Sequence, residues 1–570
     1  MTRNKNSSSL LIAVVFGCIG LSLFSFQLSF VLSQWLTYVL LFSVFVLFLS
    51  EKYTSVHKFI NKYQLFLIVL LSSLTVGTLF RENLSAQWGA IDDHEIMKYL
   101  GEDKKFSFYE IPQTIMTETE VGSFGKSLRY RPAYYLLRLT ETALWGNNPH
   151  LWYGFRMLIL VVSLSIFWKL LSRLFGFIPS GLFVVYVMTF SMWSDMFARL
   201  GPAETYTVLS FAFFVWAMTE IINKTLKNES VRIVPIIVWT LATIVSVGVK
   251  ENFVLLLLPN LLIIGYLAFK RRVTPLLATS FLMSTASILL VAAAVIIPLL
   301  NTGSDIYGQS VAPVSRFSIL ITGMKHSDSK KMIFAGLILA GITGLQLFQK
   351  KKNQKIIRAT LLTFGLVVTY HFIFISQYVF YNGGWPNGTR YDFPGVLVTP
   401  FFYLTIISFA YFLLKQETIP KQILRGLKYG SLIGFVCLIV MKGFVDLRVR
   451  VERNAETTIG FTKRITEIAS VAKNNPTYAL VIESGNPWDF EPIHAYEKFM
   501  RAYGVKNTMH LRLNGYSEES VNPGLEKQLT RELEQTQKLG NKFYQPLPEK
   551  LENCYSILLT KPSTDDCEVL

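Results

Sequence analysis

Charge is scarce in this 570-residue chain. Asp, Glu, Lys and Arg together make up 16% of it, against roughly 25% in an average soluble domain, which argues against an ordinary cytosolic enzyme. Acidic residues are the scarcer sign: 38 Asp and Glu face 55 Lys and Arg, a formal net charge of +17. Such an excess would point to nucleic acid if it sat on one soluble face. Here the Lys and Arg cluster in short loops between apolar runs, as membrane topology requires, so no nucleic-acid partner is expected. Cysteine numbers four, too few for a disulfide scaffold. Cys18 and Cys437 lie inside apolar runs and read as inert. Cys554 and Cys567 share the C-terminal segment, where they could pair if it is extracytoplasmic or equally stay free thiols. Internal repeats and low-complexity tracts are lacking, and the composition excludes disordered, collagen and coiled-coil classes.

What the chain has in quantity is apolar length, 51% of residues being hydrophobic. Runs near the ~20 residues needed to cross a hydrocarbon core fall at residues 10–26, 28–49, 64–80, 151–171, 177–197, 205–222, 233–249, 253–269, 276–300, 332–348, 360–380, 395–414 and 429–445. They predict a polytopic α-helical membrane protein of about 13 spans. The N-terminal run lacks a convincing small-x-small cleavage site and reads as an uncleaved first span. Alternate loops carry the cations, among them Lys52, Lys58 and Lys62, then Lys270, Arg271 and Arg272, then Lys350, Lys351 and Lys352. The opposite loops hold mainly Arg199, Lys250 and Arg390. By the positive-inside rule the latter face outward, and an odd span count places the tail outside as well.

Residues 1–445 therefore read as a transmembrane module and 446–570 as an extracytoplasmic soluble domain. Two outer loops are long, residues 81–150 and 301–331, and loops of this length are seldom without function. Residues 81–150 contain RPAYYLLRLTETALW, which suits an interfacial helix; residues 301–331 read as mobile. In the tail, YALVIESG and CYSILLT read as strands and EPIHAYEKFMRAYG as a helix, a small α/β domain.

The sharpest motif is Asp92-Asp93-His94-Glu95, opening the first long outer loop. Adjacent carboxylates at a membrane surface repel and resist desolvation. Three readings are open: a solvated loop start or helix N-cap, a general base acting beside a membrane-borne phosphate donor, and a metal site whose ligand set is incomplete. The segment from Tyr381 to Pro394 places Arg390 and Tyr391 in a Gly-rich outer loop. A guanidinium suits phosphate through paired, charge-assisted bonds, while the bland alternative is an interfacial Arg on lipid headgroups. Lys250-Glu251 between two spans reads as a structural ion pair at a tight turn, and Arg199 with Glu204 as a capped helix start. His371, inside a span, reads as a satisfied polar contact. Asp92, Lys250, Arg390 and the interfacial helix share one membrane face under a charge rule that did not use them.

In these residues the chain resembles the GT-C superfamily of membrane glycosyltransferases, which includes protein O-mannosyltransferases, bacterial aminoarabinose transferases and O-antigen glucosyltransferases. Asp92-Asp93 matches the acidic pair that opens the first large outer loop of that superfamily. Arg131-Pro132 followed by Trp145-Gly146 resembles an Arg-Pro and Gly-x-x-Pro stretch. Lys250-Glu251 matches a Lys-Glu pair after a middle span, and Arg390-Tyr391-x-x-Pro394 an Arg-Tyr-x-x-Pro motif of a late outer loop. The likeness covers residues 60 to 415; Asp93 stands where protein mannosyltransferases commonly have Glu, and the tail carries no family signature. The resemblance implies inverting transfer of a sugar from a polyprenyl-phosphate carrier to a glycan, lipid or protein hydroxyl. It further implies Asp92 as base with Asp93 beside it, Arg390 and Tyr391 with Lys250 or Arg131 at the donor phosphate, His94, Glu251, Arg199 and Glu204 in support, and neither metal nor cofactor. It fits a bacterial inner membrane and a cell-envelope polysaccharide role. A lipid-linked oligosaccharide polymerase fits the early acidic pair less well. A flippase or transporter would need ionisable groups along a path through the spans, and a receptor or scaffold leaves the convergent loops unexplained.

Overall fold

A computed structural model describes residues 54–101, 105–124, 129–302, 313–348, 354–381, 384–414, 444–484, 490–513, 550–551, 553–559 and 567–569. Helix dominates, as it must where apolar runs meet hydrocarbon and each segment has to satisfy its own backbone N–H and C=O groups. Among the described residues six segments are long and apolar enough to cross a membrane: Lys58–Leu84, Pro149–Phe175, Glu204–Leu226, Glu251–Phe269, Pro275–Pro298 and Gln354–Phe380. Ile233–Val249 and Gly395–Ile406 are shorter apolar helical segments. The chain is thus a helical membrane protein with a small parallel sheet near its C-terminus. Of the 13 expected spans, residues 10–26, 28–49 and 429–443 lie outside the described residues.

Helix α1 (Thr54–Phe80) leads into the first long loop, which folds into α2 (His94–Leu100), α3 (Ile111–Glu118) and α4 (Pro132–Trp145). The last is the helix expected from RPAYYLLRLTETALW. Pro132 starts it, and Tyr134, Tyr135, Arg138 and Glu141 are buried, while Leu136 and Leu144, two turns apart, are exposed. Helix α5 (Pro149–Phe175) begins with Pro149 behind an Asn148 cap, whose side chain accepts from the amides of His150 and Leu151. Gly176, at φ 86°, reverses the chain into α6 (Phe177–Val187), a conformation that a side chain would strain.

Here the expected span over residues 177–197 does not hold as one helix. Helix α6 stops after 11 residues, far short of a crossing at 1.5 Å per residue. A turn follows, and then the short α7 (Met192–Phe197). The hydroxyls and indole of this stretch take over the freed carbonyls: Thr189 Oγ1 donates to Tyr186 O at 2.7 Å, Ser194 Oγ to Ser191 O at 2.7 Å and Trp193 Nε1 to Val187 O at 2.7 Å. Polar partners within reach make a broken helix tolerable at membrane depth.

Helices α8 (Glu204–Leu226) and α9 (Ile233–Val249) pack together and against α5 and α4. A 3-10 stretch (Glu251–Leu256) precedes α10 (Leu257–Phe269), and α11 (Pro275–Thr302) follows. The second long loop, expected to be mobile, holds α12 (Pro313–Lys325) and the start of α13 (Ser327–Phe348). Helix α14 (Gln354–Phe380) packs on α13, and His371 Nε2 lies 2.9 Å from Ser329 Oγ, the polar contact expected of it. Helix α15 (Val398–Leu414) closes this part.

In the tail, α16 (Phe444–Asn474) leads to β1 (Ala479–Ser484), α17 (Phe490–Ala502), β2 (Met509–Leu513), β3 (Cys554–Leu558) and β4 (Glu568–Val569). The four strands are parallel in the order β2-β1-β3-β4, with Leu480 opposite Met509 and Tyr555. Cys554 and Cys567 are joined in a disulfide, the pairing that the sequence leaves open. The tail shares its core with the first long loop and the start of α5: Trp88, Ile96, Met97 and Trp152 pack with Ile468, Leu480, Ile493 and Phe499. Arg448 of α16 reinforces the join, donating to Thr78 O and pairing with Glu82.

Candidate functional site

The motif Asp92-Asp93 sits at the start of α2. Asp92 has φ 70°, an uncommon left-handed value for a residue other than glycine. It separates two neighbouring acids into different surroundings. The Asp92 carboxylate accepts from Arg390 Nη1 at 2.8 Å and from Arg199 Nη2 at 3.1 Å through the same oxygen, Oδ2. Residues 92, 199 and 390, far apart in sequence, thereby meet.

Asp195, on the short helix α7, ties this cluster together. Its Oδ1 accepts from Arg199 Nη1 at 2.8 Å, one turn on, and its Oδ2 from the Arg390 backbone N–H at 2.9 Å. The Arg390 loop is braced by Asp392, which accepts from the amides of Asn387 at 2.9 Å and Gly388 at 2.7 Å. Burial raises the Asp92 carboxyl, but the Arg390 and Arg199 guanidinium groups outweigh it and hold the group well below the usual carboxylate range. The same carboxylate sustains the positive charge of both arginines against burial.

Asp93 takes the other direction. It is buried, and its Oδ2 accepts from the Gly89 N–H at 2.7 Å while Oδ1 has no hydrogen-bond partner. Burial pushes its carboxyl up to about 7, against the Gly89 bond and with help from the neighbouring Asp92 charge. Asp93 therefore does not join the arginine cluster. His94 turns toward the tail, its ring stacked on His494 of α17 with centroids 6.5 Å apart. Burial and the nearby Lys498 charge push it down to about 3.

The position of Asp92 is fixed from below by Gly201. A Cβ there would lie 1.8 Å from the Asp92 Cβ, so only glycine permits the approach. The turn carrying Gly201 hangs on Arg138 of α4, fully buried, which donates to Leu200 O at 2.8 Å and to Gly201 O at 3.1 Å. Arg156 of α5 pairs with Glu141 at 2.8 Å, and Tyr206 donates to the same carboxylate at 2.6 Å. Arg138, Arg156, Asp195 and Gly201 form no sequence motif; their one signal is polar residues, or a glycine, set inside apolar or aromatic helical patterns.

Lys250 and Glu251 do not pair with each other, contrary to expectation. Lys250 has extended backbone, φ −144° and ψ 125°, so consecutive side chains leave on opposite sides. Lys250 Nζ lies 2.6 Å from Glu204 Oε1 and 5.0 Å from the Tyr391 ring centroid. Glu204, expected with Arg199 as a capped helix start, does open α8, and its carboxylate pairs with Lys250 rather than Arg199. Glu251 faces Arg129 at 3.6 Å and Arg131 at 3.8 Å, and Arg131 pairs more closely with Glu120 at 2.7 Å. Lys250 and Tyr391 thus adjoin the cluster around Arg390, whereas Arg131 belongs to a separate acidic neighbourhood. For the metal reading of Asp92-Asp93-His94-Glu95, no group of three or more His, Cys, Asp or Glu among the described residues is placed to hold a cation.

The arrangement is an ion cluster of two arginines and two aspartates. Two guanidinium groups converge on one carboxylate oxygen, partly open to solvent, beside helices of membrane-spanning character. In comparisons with known proteins, no family model matches the chain and no curated protein matches it.

Proposed function

We propose that the protein is an inverting glycosyltransferase that moves a sugar from a polyprenyl-phosphate carrier to an acceptor hydroxyl, on a GT-C-like scaffold of about 13 spans. In this reading the site faces the extracytoplasmic side, in a bacterial inner membrane engaged in surface-polysaccharide modification. The observation that carries the proposal is the meeting of Asp92 with Arg390 and Arg199.

An arginine pair that holds a carboxylate would hold a phosphate at least as well, since both anions accept paired, charge-assisted bonds. Donor phosphate would compete for Arg390 and Arg199 and withdraw the charges that depress Asp92. The freed carboxylate becomes a stronger base at the moment the donor is bound. The acceptor O–H proton then passes to Asp92, the acceptor oxygen forms its bond to the anomeric carbon, and the bond from that carbon to the phosphate oxygen breaks. The electron pair leaves with the phosphate, whose added charge the guanidinium groups stabilise.

The test supplies membranes containing the protein with a radiolabelled polyprenyl-phosphate hexose. Label should move from the polyprenyl carrier to a glycan, lipid or protein product. Asp92→Asn, inserted and folded normally, should lower transfer by about 100-fold or more, the scale of general-base catalysis. Normal transfer by that variant removes the assignment, and movement of labelled lipid across the membrane without transfer favours a flippase instead.

A further inference from the structure

Helix α17 of the tail brings a second carboxylate to the Asp92 cluster. Glu491 lies in its first turn, and His494, one turn further, stacks on His94 with ring centroids 6.5 Å apart. His94 is only two residues from Asp92, so the α2–α17 contact sets the helix that bears Glu491 beside the Asp92 segment. The charges of Asp92, Glu95, Arg199 and Arg390 all act on the Glu491 carboxyl. The contact is firm: Ile96 and Met97 of α2 share a core with Ile493 and Phe499 of α17. Nothing in the sequence singles out Glu491, which stands some 400 residues from the acidic pair in a segment without a motif.

We infer that Glu491 is an acceptor-side specificity residue, and that the tail closes the site by offering its carboxylate to the hydroxyls of a neutral glycan acceptor. The inference rests on the transferase reading above. The two arginines draw a phosphate, whereas a carboxylate repels it, so Glu491 is unsuited to the donor headgroup and to an anionic acceptor. Neighbouring hydroxyls of a sugar ring suit it well, because a carboxylate accepts several hydrogen bonds from two oxygens. Burial, followed by the negative charge of Asp92, pushes Glu491 up to about 7.

The experiment uses the full-length protein in membranes from cells lacking the native gene. Radiolabelled undecaprenyl-phosphate glucose serves as donor probe, and neutral surface glycan extracted from the same cells is titrated as acceptor. Glu491→Gln should raise the acceptor KM by about 10-fold or more, the effect of losing a hydrogen bond to a charged group, while leaving the donor KM unchanged. Glu491→Asp, which keeps the charge on a shorter arm, should fall between the two. An acceptor KM unaffected by either substitution overturns the assignment while leaving the transferase intact. Equal rises in both KM values overturn it too, since they mark a structural role. No transfer to the glycan by the unaltered protein, with label still passing to lipid or protein, overturns the Glu491 assignment alone; no transfer to any product sinks the transferase reading as well.

Discussion

Two consecutive aspartates illustrate how far one backbone angle can separate equal side chains. Asp92, at φ 70°, is turned to two arginines and held below the usual carboxylate range. Asp93 is turned inward and pushed up to about 7, chiefly by burial. The signs of their stability contributions differ accordingly. The Asp92 contribution is present above the unfolded value near pH 4 and lost only as pH falls below it. Asp93 folds more readily protonated, so its penalty is absent below about pH 4, grows as pH rises toward 7 and is constant above. Glu491 and Glu497, also raised to about 7, add the same trend, and for that reason a difference between variants is the clean measurement. Asp93→Asn cannot ionise and can still accept from Gly89. Its stability relative to the unaltered protein should rise by on the order of 2 kcal/mol between pH 5 and pH 8, read from unfolding in detergent at each pH. A difference independent of pH would show Asp93 to be an ordinary ionised carboxylate.

The short helix α7 shows what reading by element leaves out. The spacing of apolar runs placed the long helices well: expected residues 151–171, 205–222 and 360–380 all fall within Pro149–Phe175, Glu204–Leu226 and Gln354–Phe380. Hydrophobic length is a strong signal because burial in lipid constrains every residue of a run. The same logic merged α6, the turn and α7 into one span, for it weighs average apolarity and is blind to the hydroxyls and indole that satisfy a broken helix. With the break went Asp195, the residue that fastens Arg199 to the Arg390 backbone. The Asp92 and Arg390 ends of the site were legible because charged residues at loop openings in an apolar chain are few. Arg138 and Gly201 were not, since their roles arise from a tertiary approach with no periodicity. In the proposed transferase Asp195 would act through the arginines, as a positioning residue. Asp195→Ala should raise the donor KM by about 10-fold and destabilise by about 1–3 kcal/mol. Asp195→Asn keeps one acceptor oxygen and should fall between, whereas an Asn variant as impaired as Ala would show that the one bond it keeps contributes nothing on its own.

Over the whole molecule, the tail and the first long loop behave as one body, with a common core and Arg448 pinned to the end of α1. Whatever side of the membrane holds Asp92 must therefore also hold the sheet and its Cys554–Cys567 disulfide. That bond gives an orientation test independent of the charge asymmetry of the loops, because such bonds persist in oxidising compartments and are rare in the cytosol. The positive-inside rule puts the cation-rich loops in the cytoplasm, and the proposed use of a carrier-linked sugar places the site opposite them. In cells trapped with acid and then denatured, Cys554 and Cys567 should resist a mass-tagged maleimide until a reductant is added, and Cys554→Ser should expose its partner at once. The disulfide closes 13 residues of chain, and a loop near that length is worth about 3 kcal/mol in the unfolded ensemble; the Ser variant should lose up to that much stability. If both thiols take the tag before reduction, the bond is absent in the cell, as expected were the tail on the reducing side. Asp92, Arg199 and Arg390 would then lie there with it, and the extracytoplasmic transferase would lose this support.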